Sequence, residues 1–322
     1  MIALQPLRSL MFSAPAVAPP YLSAASGLVV AGDFVYVVAD DELHLGVFDR
    51  AGKNGGSRVR LFPGDLPDEA AARKACKPDL EVLVRLPSFA GYPAGALLAL
   101  GSGSRPNRQS GALLGLDDSG ALSGGSCRVD LTALYAPLQR RFAALNIEGA
   151  VVCGSQLVLL QRASGSHPQN ALIGFALADV LLALSAGDAP RLPELPAALC
   201  SVELGGVDGI PLGFTDAAAL PDGRIVFSAV AEHVDDTYHD GPCVAAAIGI
   251  VTPEGQVQAL QLLQPVYKVE GIDAIQDGDV IRLLLVTDAD DRRVPAVLFS
   301  ASLAPRPEDS QPPPRAVPTP AA

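Results

Sequence analysis

Basic residues and long apolar runs are both scarce in this sequence. Its 322 residues include 23 Lys and Arg against 35 Asp and Glu, which gives a formal net charge of −12. This acidic excess argues against nucleic acid or an anionic membrane as a partner. No apolar run reaches the roughly 18 residues that a transmembrane helix needs. The expected partners are therefore cations, or ligands that a local site recognises.

Cysteine pairs at metal-binding or redox spacing are also absent. The five cysteines are scattered without a CxxC pair: Cys76, Cys127, Cys153, Cys200 and Cys243. Their odd number and apolar neighbours predict buried thiols rather than a disulfide framework or a zinc site. The N-terminal segment lacks the basic region and the unbroken apolar stretch of a secretory signal. We therefore expect a cytoplasmic protein.

Signatures of nucleophilic catalysis are missing as well. The sequence has no GxSxG elbow, and no Ser–His–Asp order stands out. The segment "HVDDTYHDG" (233–241) contains metal-ligand residue types, but its spacing matches no standard zinc or EF-hand pattern. The segment "GSGSRPNR" (101–108) is flanked by two apolar runs, so it is not a phosphate loop before a helix. Its Arg and Asn side chains are the candidates of interest there.

What the sequence does contain is a fivefold repeat. Each repeat opens with an acidic or small residue before an apolar run, as in "IEGAVV" and "EGIDAI", and a second and a third apolar run follow. The five opening residues lie 55, 67, 68 and 54 residues apart: Ser26, Glu81, Glu148, Asp216 and Glu270. The runs are short and bounded by turn signals, so each repeat predicts a β-meander. The fold class is all-β, and the architecture is a β-propeller.

The number of blades depends on how the ring closes. Four repeats end with a fourth strand, whereas the fifth runs directly into a Pro-rich tail. The N-terminal segment 2–12 resembles a fourth strand, so we expect it to complete the last blade and to remove its open edge. Five blades are therefore favoured, with six as the alternative. We predict one propeller domain over 1–303, helical or irregular insertions at 66–76 and 177–199, and a disordered tail over 304–322.

The acidic repeat openings predict a site at one mouth of the central channel. Glu81, Glu148, Asp216 and Glu270 should converge there, because each lies near the start of an inner strand. Converging carboxylates repel one another unless a cation compensates them. They are our candidate ligands for a divalent cation, with calcium favoured over magnesium or manganese. The alternative is a structural role, in which they cap backbone amides or pair with loop arginines.

Loops between second and third strands should surround the same mouth. Arginine binds carboxylate or phosphate through paired hydrogen bonds. The candidate ligand-binding residues in these loops are Arg105, Asn107, Arg108, Arg162, His167 and Asp288. The candidate catalytic bases are Glu232 and His239.

The motifs "ASGLVV", "NIEGAVV", "GFTDAAALPDGRIVFSAVAE", "DTYHDG" and "KVEGIDA" resemble those of a bacterial β-propeller family of unknown function. The resemblance covers nearly the whole chain except the tail. The openings in which Glu precedes Gly are also similar to those of esterase-like phytase and gluconolactonase-type propellers. That similarity implies carboxylates that bind a divalent cation at the channel. Those propellers usually have six blades, and Ser26 departs from a fully acidic ring.

These observations lead to two functional hypotheses. The first is a metal-dependent hydrolase of a small anionic ester, either a phosphoester or a lactone. Its metal would activate a water molecule, and Arg105, Arg108 and Arg162 would hold the anionic end of the ligand. The second is a non-catalytic propeller that binds a small anionic or polyhydroxylated ligand, or a protein, through the same face. An enzyme needs an open metal position, whereas a scaffold can fill the channel with salt bridges.

Overall fold

Five four-stranded antiparallel sheets form the body of the protein. The computed structural model describes residues 1–13, 19–163, 167, 169–186, 190–194, 196–233 and 241–303. Each sheet is one blade. The first blade consists of β2 Ala25–Ala31, β3 Phe34–Ala39, β4 His44–Asp49 and β5 Ser57–Arg60, and the second of β6 Leu80–Leu86, β7 Ala96–Gly101, β8 Ser110–Leu116 and β9 Leu122–Asp130. The third blade consists of β10 Ile147–Cys153, β11 Gln156–Gln161, β12 Asn170–Ala176 and β13 Ala198–Val202.

The last two blades follow the same plan. They consist of β16 Gly213–Ala219, β17 Ile225–Glu232, β18 Cys243–Val251 and β19 Val257–Leu262; and β20 Val269–Asp277, β21 Val280–Thr287, β22 Val297–Leu303 and β1 Gln5–Ser9. A small hairpin, β14 Gly206–Val207 and β15 Ile210–Pro211, precedes the fourth blade. The all-β propeller prediction is confirmed.

The ring closes as the sequence predicted. Innermost strands of successive blades contact one another all the way round, from β2 through β6, β10, β16 and β20 back to β2. The N-terminal β1 pairs antiparallel with β22, with Gln5 opposite Ser300. The last blade therefore takes its outer strand from the start of the chain, and the propeller has five blades rather than six.

Burial explains why the inner strands are nearly continuous apolar runs. A strand between two neighbouring blades is covered on both faces, so it cannot alternate apolar and polar side chains. All six residues of β7 are buried, for example. The outer β5 is half-covered, and its sequence is "SRVR". The outermost strands are therefore less apolar than the strands between blades, and this difference marks the outer edge of a blade.

In the described part of the chain, three α-helices lie between strands: α1 Ala70–Cys76, α2 Thr132–Arg141 and α3 Leu177–Leu184; a short 3-10 helix spans Pro106–Arg108. The insertions predicted at 66–76 and 177–199 contain α1 and α3, and the second insertion ends within β13. Sequence patterns missed α2 because Pro137 interrupts its helical pattern. They also missed the β14–β15 hairpin. Among the described helices, none is both long and apolar enough to span a membrane.

The cysteine prediction needs a partial correction. All five thiols are free, in agreement with the absence of a disulfide framework. Only Cys153 is buried, whereas Cys76 is exposed and the others are intermediate. Cys76 ends the short surface helix α1, so its apolar neighbours do not lie in the core. The predicted tail, 304–322, lies outside the described residues.

Candidate functional site

The channel mouth contains a small and strongly charged cavity of about 120 Å³, which we call the mouth cavity. Eight carboxylates line it: Asp40, Asp79, Glu81, Glu148, Glu232, Glu270, Asp288 and Asp290. Five cations line it as well: Lys74, Lys77, Arg108, Arg162 and Lys268. The formal excess is three negative charges. Inner-strand starts and second-to-third-strand loops supply these residues, as the propeller prediction requires.

A bulge at the same place in every inner strand aims side chains at the mouth. The pairing register shifts by one residue there, and the extra residue is Ser26, Glu81, Glu148, Thr215 or Glu270. A bulge leaves one residue unpaired and redirects its side chain. Serine and the three glutamates line the mouth cavity, whereas Thr215 does not.

Glycine after the bulge lets neighbouring inner strands approach. A Cβ at Gly149 would lie 2.9 Å from the Cα of Asp216, and one at Gly271 would lie 3.0 Å from the Cβ of Leu28. Both distances are too short for non-bonded carbons. The Glu-Gly pair therefore combines two requirements: a carboxylate at the mouth and a close strand contact beside it.

Asp216 differs from the sequence prediction. Thr215, not Asp216, occupies the bulge of the fourth blade, and its hydroxyl donates to the carbonyl of Val269 at 2.8 Å. Asp216 lies one residue later, and its Oδ2 accepts a hydrogen bond from the amide of Ile272 at 3.0 Å. It does not line the mouth cavity, so it is not placed with the other predicted metal ligands. Asp216 therefore has the structural role that we gave as the alternative to metal binding, since its carboxylate accepts a hydrogen bond from a backbone amide.

One side of the mouth is an ion-pair network, which we call the Glu232 network: Glu148, Arg162, Glu232, Lys268 and Glu270. Arg162 lies 3.1 Å from Glu148 and 3.9 Å from Glu270, and it also pairs with Glu232. Lys268 lies 3.0 Å from Glu232 and 3.4 Å from Glu270. Every carboxylate of this network therefore has a cation within reach, and both cations are fully engaged.

Burial dominates the titration of this network. It raises the pKa of Glu270 well above its ordinary value, although Lys268 and Arg162 oppose the shift. Burial also raises the pKa of Glu148, against the effect of Arg162. The neighbouring carboxylates more than offset burial at Lys268, so its pKa is raised and it stays charged. Three carboxylates around two cations leave one negative charge that a proton can neutralise.

The other side of the mouth is the Glu81 cluster: Asp40, Lys77, Asp79, Glu81 and Arg108. Lys77 pairs with Asp40 and lies 2.9 Å from Asp79. Arg108 Nη1 lies 2.8 Å from Asp79 Oδ2. Asp79 thus takes both cations of the cluster. Among the described residues, no side chain forms a hydrogen bond or ion pair with Glu81.

The pKa values of the Glu81 cluster follow this unequal pairing. Burial would raise the pKa of Asp79, but Lys77 and Arg108 hold it below its ordinary value. Burial raises the pKa of Glu81 well above its ordinary value, and repulsion from Glu148 and Asp79 adds to the shift. Carboxylate oxygens of Asp40, Asp79 and Glu81 lie within 4.8 Å of one another. This is the described carboxylate group best arranged to hold a cation.

Of the other residues predicted for the site, only some line the mouth cavity. Asn107 donates to the carbonyls of Ala75 and Lys77, at 3.2 and 3.1 Å, and so ties its loop to α1. Arg105 and His167 are partly buried and do not line the mouth cavity. Asp288 lines it, and burial raises its pKa to about 8. His239 lies outside the described residues.

Sequence reasoning missed six of the thirteen charged residues that line the mouth cavity: Asp40, Lys74, Lys77, Asp79, Lys268 and Asp290. A usable signal was present, since the residue two places before the bulge is polar in three blades: Asp79, Asn146 and Lys268. All three line the mouth cavity. For Asp40, the only signal in the sequence was its position in a loop between a second and a third strand.

A family model described as a family of unknown function (DUF6929) matches residues 21–303. The chain belongs to this family. The matched range of DUF6929 begins just before the first inner strand and ends with β22, so it covers all five inner strands and their bulges. No curated protein matches the sequence.

Solved structures similar to this DUF6929 member are propellers of low sequence identity. The α-L-arabinofuranosidase PaAbf62A from Podospora anserina is 12% identical, with a TM-score of 0.50, over 94% of this chain and 97% of that chain. A putative glycoside hydrolase from Parabacteroides distasonis is 11% identical, with a TM-score of 0.43, over 91% and 97%. At 12% identity, the similarity to PaAbf62A shows the fold alone.

Proposed function

We propose that the mouth cavity binds a divalent metal ion and that the protein uses it to hydrolyse a small ester. The observation that carries this proposal is the Glu81 carboxylate, which faces Asp40 and Asp79 without a partner among the described residues. Three carboxylates are the hard oxygen ligands that calcium, magnesium and manganese prefer. Calcium is the ion best suited to several carboxylates in irregular geometry.

The charge of the mouth cavity supports a cationic guest. Eight carboxylates face five cations, so a divalent ion reduces the formal excess from three negative charges to one. Uncompensated buried charge is expensive, which gives the cavity a reason to take up a cation or protons. Lys77 lies among the proposed ligands and shares Asp40 and Asp79 with the ion. The metal ligands are therefore Asp40, Asp79 and Glu81, rather than Glu148, Asp216 and Glu270.

The residues around this site suggest how hydrolysis would proceed. A bound divalent ion lowers the pKa of water and polarises a carbonyl group. Arg108 holds Asp79 in place, and Asn107 fixes the loop that carries Arg108. Glu232 contacts both Arg162 and Lys268, whereas Glu148, among the described residues, forms an ion pair with Arg162 alone. We therefore assign the role of general base to Glu148, whose pKa is raised by burial.

The pairing of the cations in the mouth cavity also indicates which kind of ester it accepts. Lys77, Arg108, Arg162 and Lys268 are each paired with carboxylates, so an anionic group finds no free cation among these four. A lactone therefore suits the cavity better than a phosphoester. The mouth cavity, at about 120 Å³, is smaller than ordinary ligand sites of roughly 300–1,000 Å³. It admits the reacting group of a substrate rather than the whole molecule.

Metal binding by untagged protein tests the proposal. Calorimetric titrations with calcium, magnesium and manganese would compare the wild type with Glu81→Gln and with the matched carboxylate control Asp216→Asn. We expect Glu81→Gln to weaken binding at least about tenfold and Asp216→Asn to leave it unchanged. Equal affinity in wild type and Glu81→Gln, or no metal bound by the wild type, would contradict the proposed site.

A non-catalytic binding propeller is the second candidate. The Glu232 network favours it, because ion pairs fill that side of the mouth as they would in a scaffold. Metal-loaded protein assayed against a panel of lactones and phosphoesters separates the two. Turnover that Glu81→Gln abolishes supports the hydrolase, whereas metal binding without turnover favours the binding propeller.

A further inference from the structure

A second cavity, of about 430 Å³, adjoins the mouth cavity. It lies between the start of β18, the segment before β20 and the loop after β21. We call it the side cavity. Lys268, Asp288 and Asp290 line both cavities, so the two cavities are direct neighbours. The side cavity is within the volume range of small-molecule sites, which the mouth cavity is not.

The side cavity offers an aromatic and apolar surface. Val266 and Tyr267 line it and are 43% and 36% exposed, although both are large apolar residues. The ring of Tyr267 is supported by Phe299, with ring centroids 4.7 Å apart. Cys243 also lines it, but burial raises the pKa of its thiol to about 12, so it is not a nucleophile at neutral pH. This surface is built to pack against a ligand rather than to react with it.

Polar groups complete the lining. Asp288 and Asp290 supply carboxyl oxygens, which accept hydrogen bonds from hydroxyl groups. Lys268 lies 2.6 Å from Asp290 and 3.0 Å from Glu232, so its charge is already compensated. At neutral pH a negatively charged ligand therefore meets the Asp290 carboxylate and an amine whose charge is already compensated. A neutral ligand with several hydroxyl groups avoids this repulsion, and its hydroxyls can donate to the carboxyl oxygens of Asp288 and Asp290.

We propose that the side cavity is the subsite for a neutral polyhydroxylated ring, a sugar or a sugar-derived lactone, whose reactive end reaches the mouth cavity. The apolar face of the ring lies against Tyr267, and its hydroxyl groups donate to Asp288 and Asp290. The position of the reactive end rests on the proposed function. Recognition by the side cavity does not, since it uses a different set of side chains.

Calorimetric titration of the full-length protein tests this subsite. The probes are D-glucose and D-xylose, each paired with the acid of the same carbon skeleton, D-gluconate and D-xylonate. We expect the neutral sugars to bind at least about tenfold more tightly than their acids. Tyr267→Ala should weaken sugar binding by a similar factor, whereas Tyr267→Phe should retain it because the ring remains. The matched control is Tyr92→Ala, since Tyr92 stacks on Phe89 at 4.7 Å and lines neither cavity.

Three results would overturn the subsite: no sugar binding by the wild type, acids that bind as tightly as sugars, or equal binding by Tyr267→Ala and Tyr92→Ala. Titrations in chelator separate this inference from the proposed function. Sugar binding that persists without metal and depends on Tyr267 supports the subsite, whatever the metal titrations show. Metal binding without sugar binding overturns the subsite and leaves the metal site standing.

Discussion

The Glu232 network and the Glu81 cluster have the same formal charges but different pairing. Each contains three carboxylates and two cations. In the Glu232 network, Arg162 and Lys268 each contact more than one glutamate, so that no carboxylate lacks a partner. In the Glu81 cluster, Asp79 takes both Lys77 and Arg108, and Glu81 has no such contact among the described residues.

This difference separates a structural from a functional use of the same side chains. A fully paired network holds blades together at the channel, and removal of one member leaves buried charge uncompensated. A cluster with one unpartnered carboxylate instead has capacity for an added cation. Composition alone does not distinguish the two sides; the distribution of contacts does.

The largest expected effect comes from breaking the Glu232 network. Arg162→Met removes a cation that contacts Glu148, Glu232 and Glu270. We expect the free energy of unfolding to fall by about 3–5 kcal/mol at neutral pH, as for other broken buried ion pairs. Urea denaturation measures this loss.

Arg282→Met is the matched control for that experiment. Arg282 pairs with Asp277 at 2.7 Å, but its side chain is 70% exposed, so its loss should cost at most about 1 kcal/mol. Equal losses for both variants would mean that the Glu232 network contributes no more than a surface pair.

Removal of one carboxylate from the Glu232 network and one from the Glu81 cluster should change the free energy of unfolding by smaller amounts and in opposite directions. Glu232→Gln should destabilise the protein by about 3 kcal/mol, because it leaves Arg162 and Lys268 short of a partner. Glu81→Gln should stabilise it by about 1 kcal/mol in chelator, because the amide avoids the cost of burying or protonating a carboxylate that has no hydrogen-bond or ion-pair partner among the described residues. Urea denaturation of both variants at neutral pH measures the signs. Destabilisation by both would contradict the distinction between paired and unpaired sides.

The third expected effect is a pH dependence at the edge of the network. Burial raises the pKa of Asp288 from 3.8 to about 8, and Lys268, 4.0 Å away, only partly opposes the shift. The folded state then holds a proton that the unfolded state releases, so stability falls as pH rises from about 4 to about 8. The slope from this one group is at most ~1.4 kcal/mol per pH unit. Repulsion from Asp40 and Asp290 adds to the rise in the pKa of Asp288.

Urea denaturation across this pH range measures the slope. Asp288→Asn should reduce it, because the amide cannot titrate. Asp291→Asn is the control, since hydrogen bonds from Arg293 lower the pKa of the exposed Asp291 to about 2, outside the range. An unchanged slope in Asp288→Asn would mean that other groups cause the pH dependence.

Much of the fold was readable from the sequence. Strands covered on both faces need continuous apolar runs, so the five repeats and their four-strand order are visible as patterns along the chain. The open fifth repeat and the strand-like N-terminus likewise predicted the closure that β1 and β22 form. The helix α2 was missed because Pro137 breaks the local pattern, while buried Leu134, Tyr135 and Leu138 hold it in place.

The candidate site was readable only in outline. Repetition placed Glu81, Glu148 and Glu270 together at the mouth, because equivalent positions in a ring converge. It misplaced Asp216 by one residue, since a bulge shifts the register and sequence spacing alone does not locate a bulge. Asp79 and Lys268, two residues before their bulges, needed the same register information.

The sequence by itself determined the all-β class, the five blades, the closure and the acidic character of the mouth. Those properties depend on local apolar runs and on repetition along the chain. Only the tertiary structure decided which carboxylate pairs with which cation, and that Glu81 lacks such a partner among the described residues. Pairing depends on distances of a few ångströms between loops of different blades, and Coulomb energies change steeply over such distances at low dielectric.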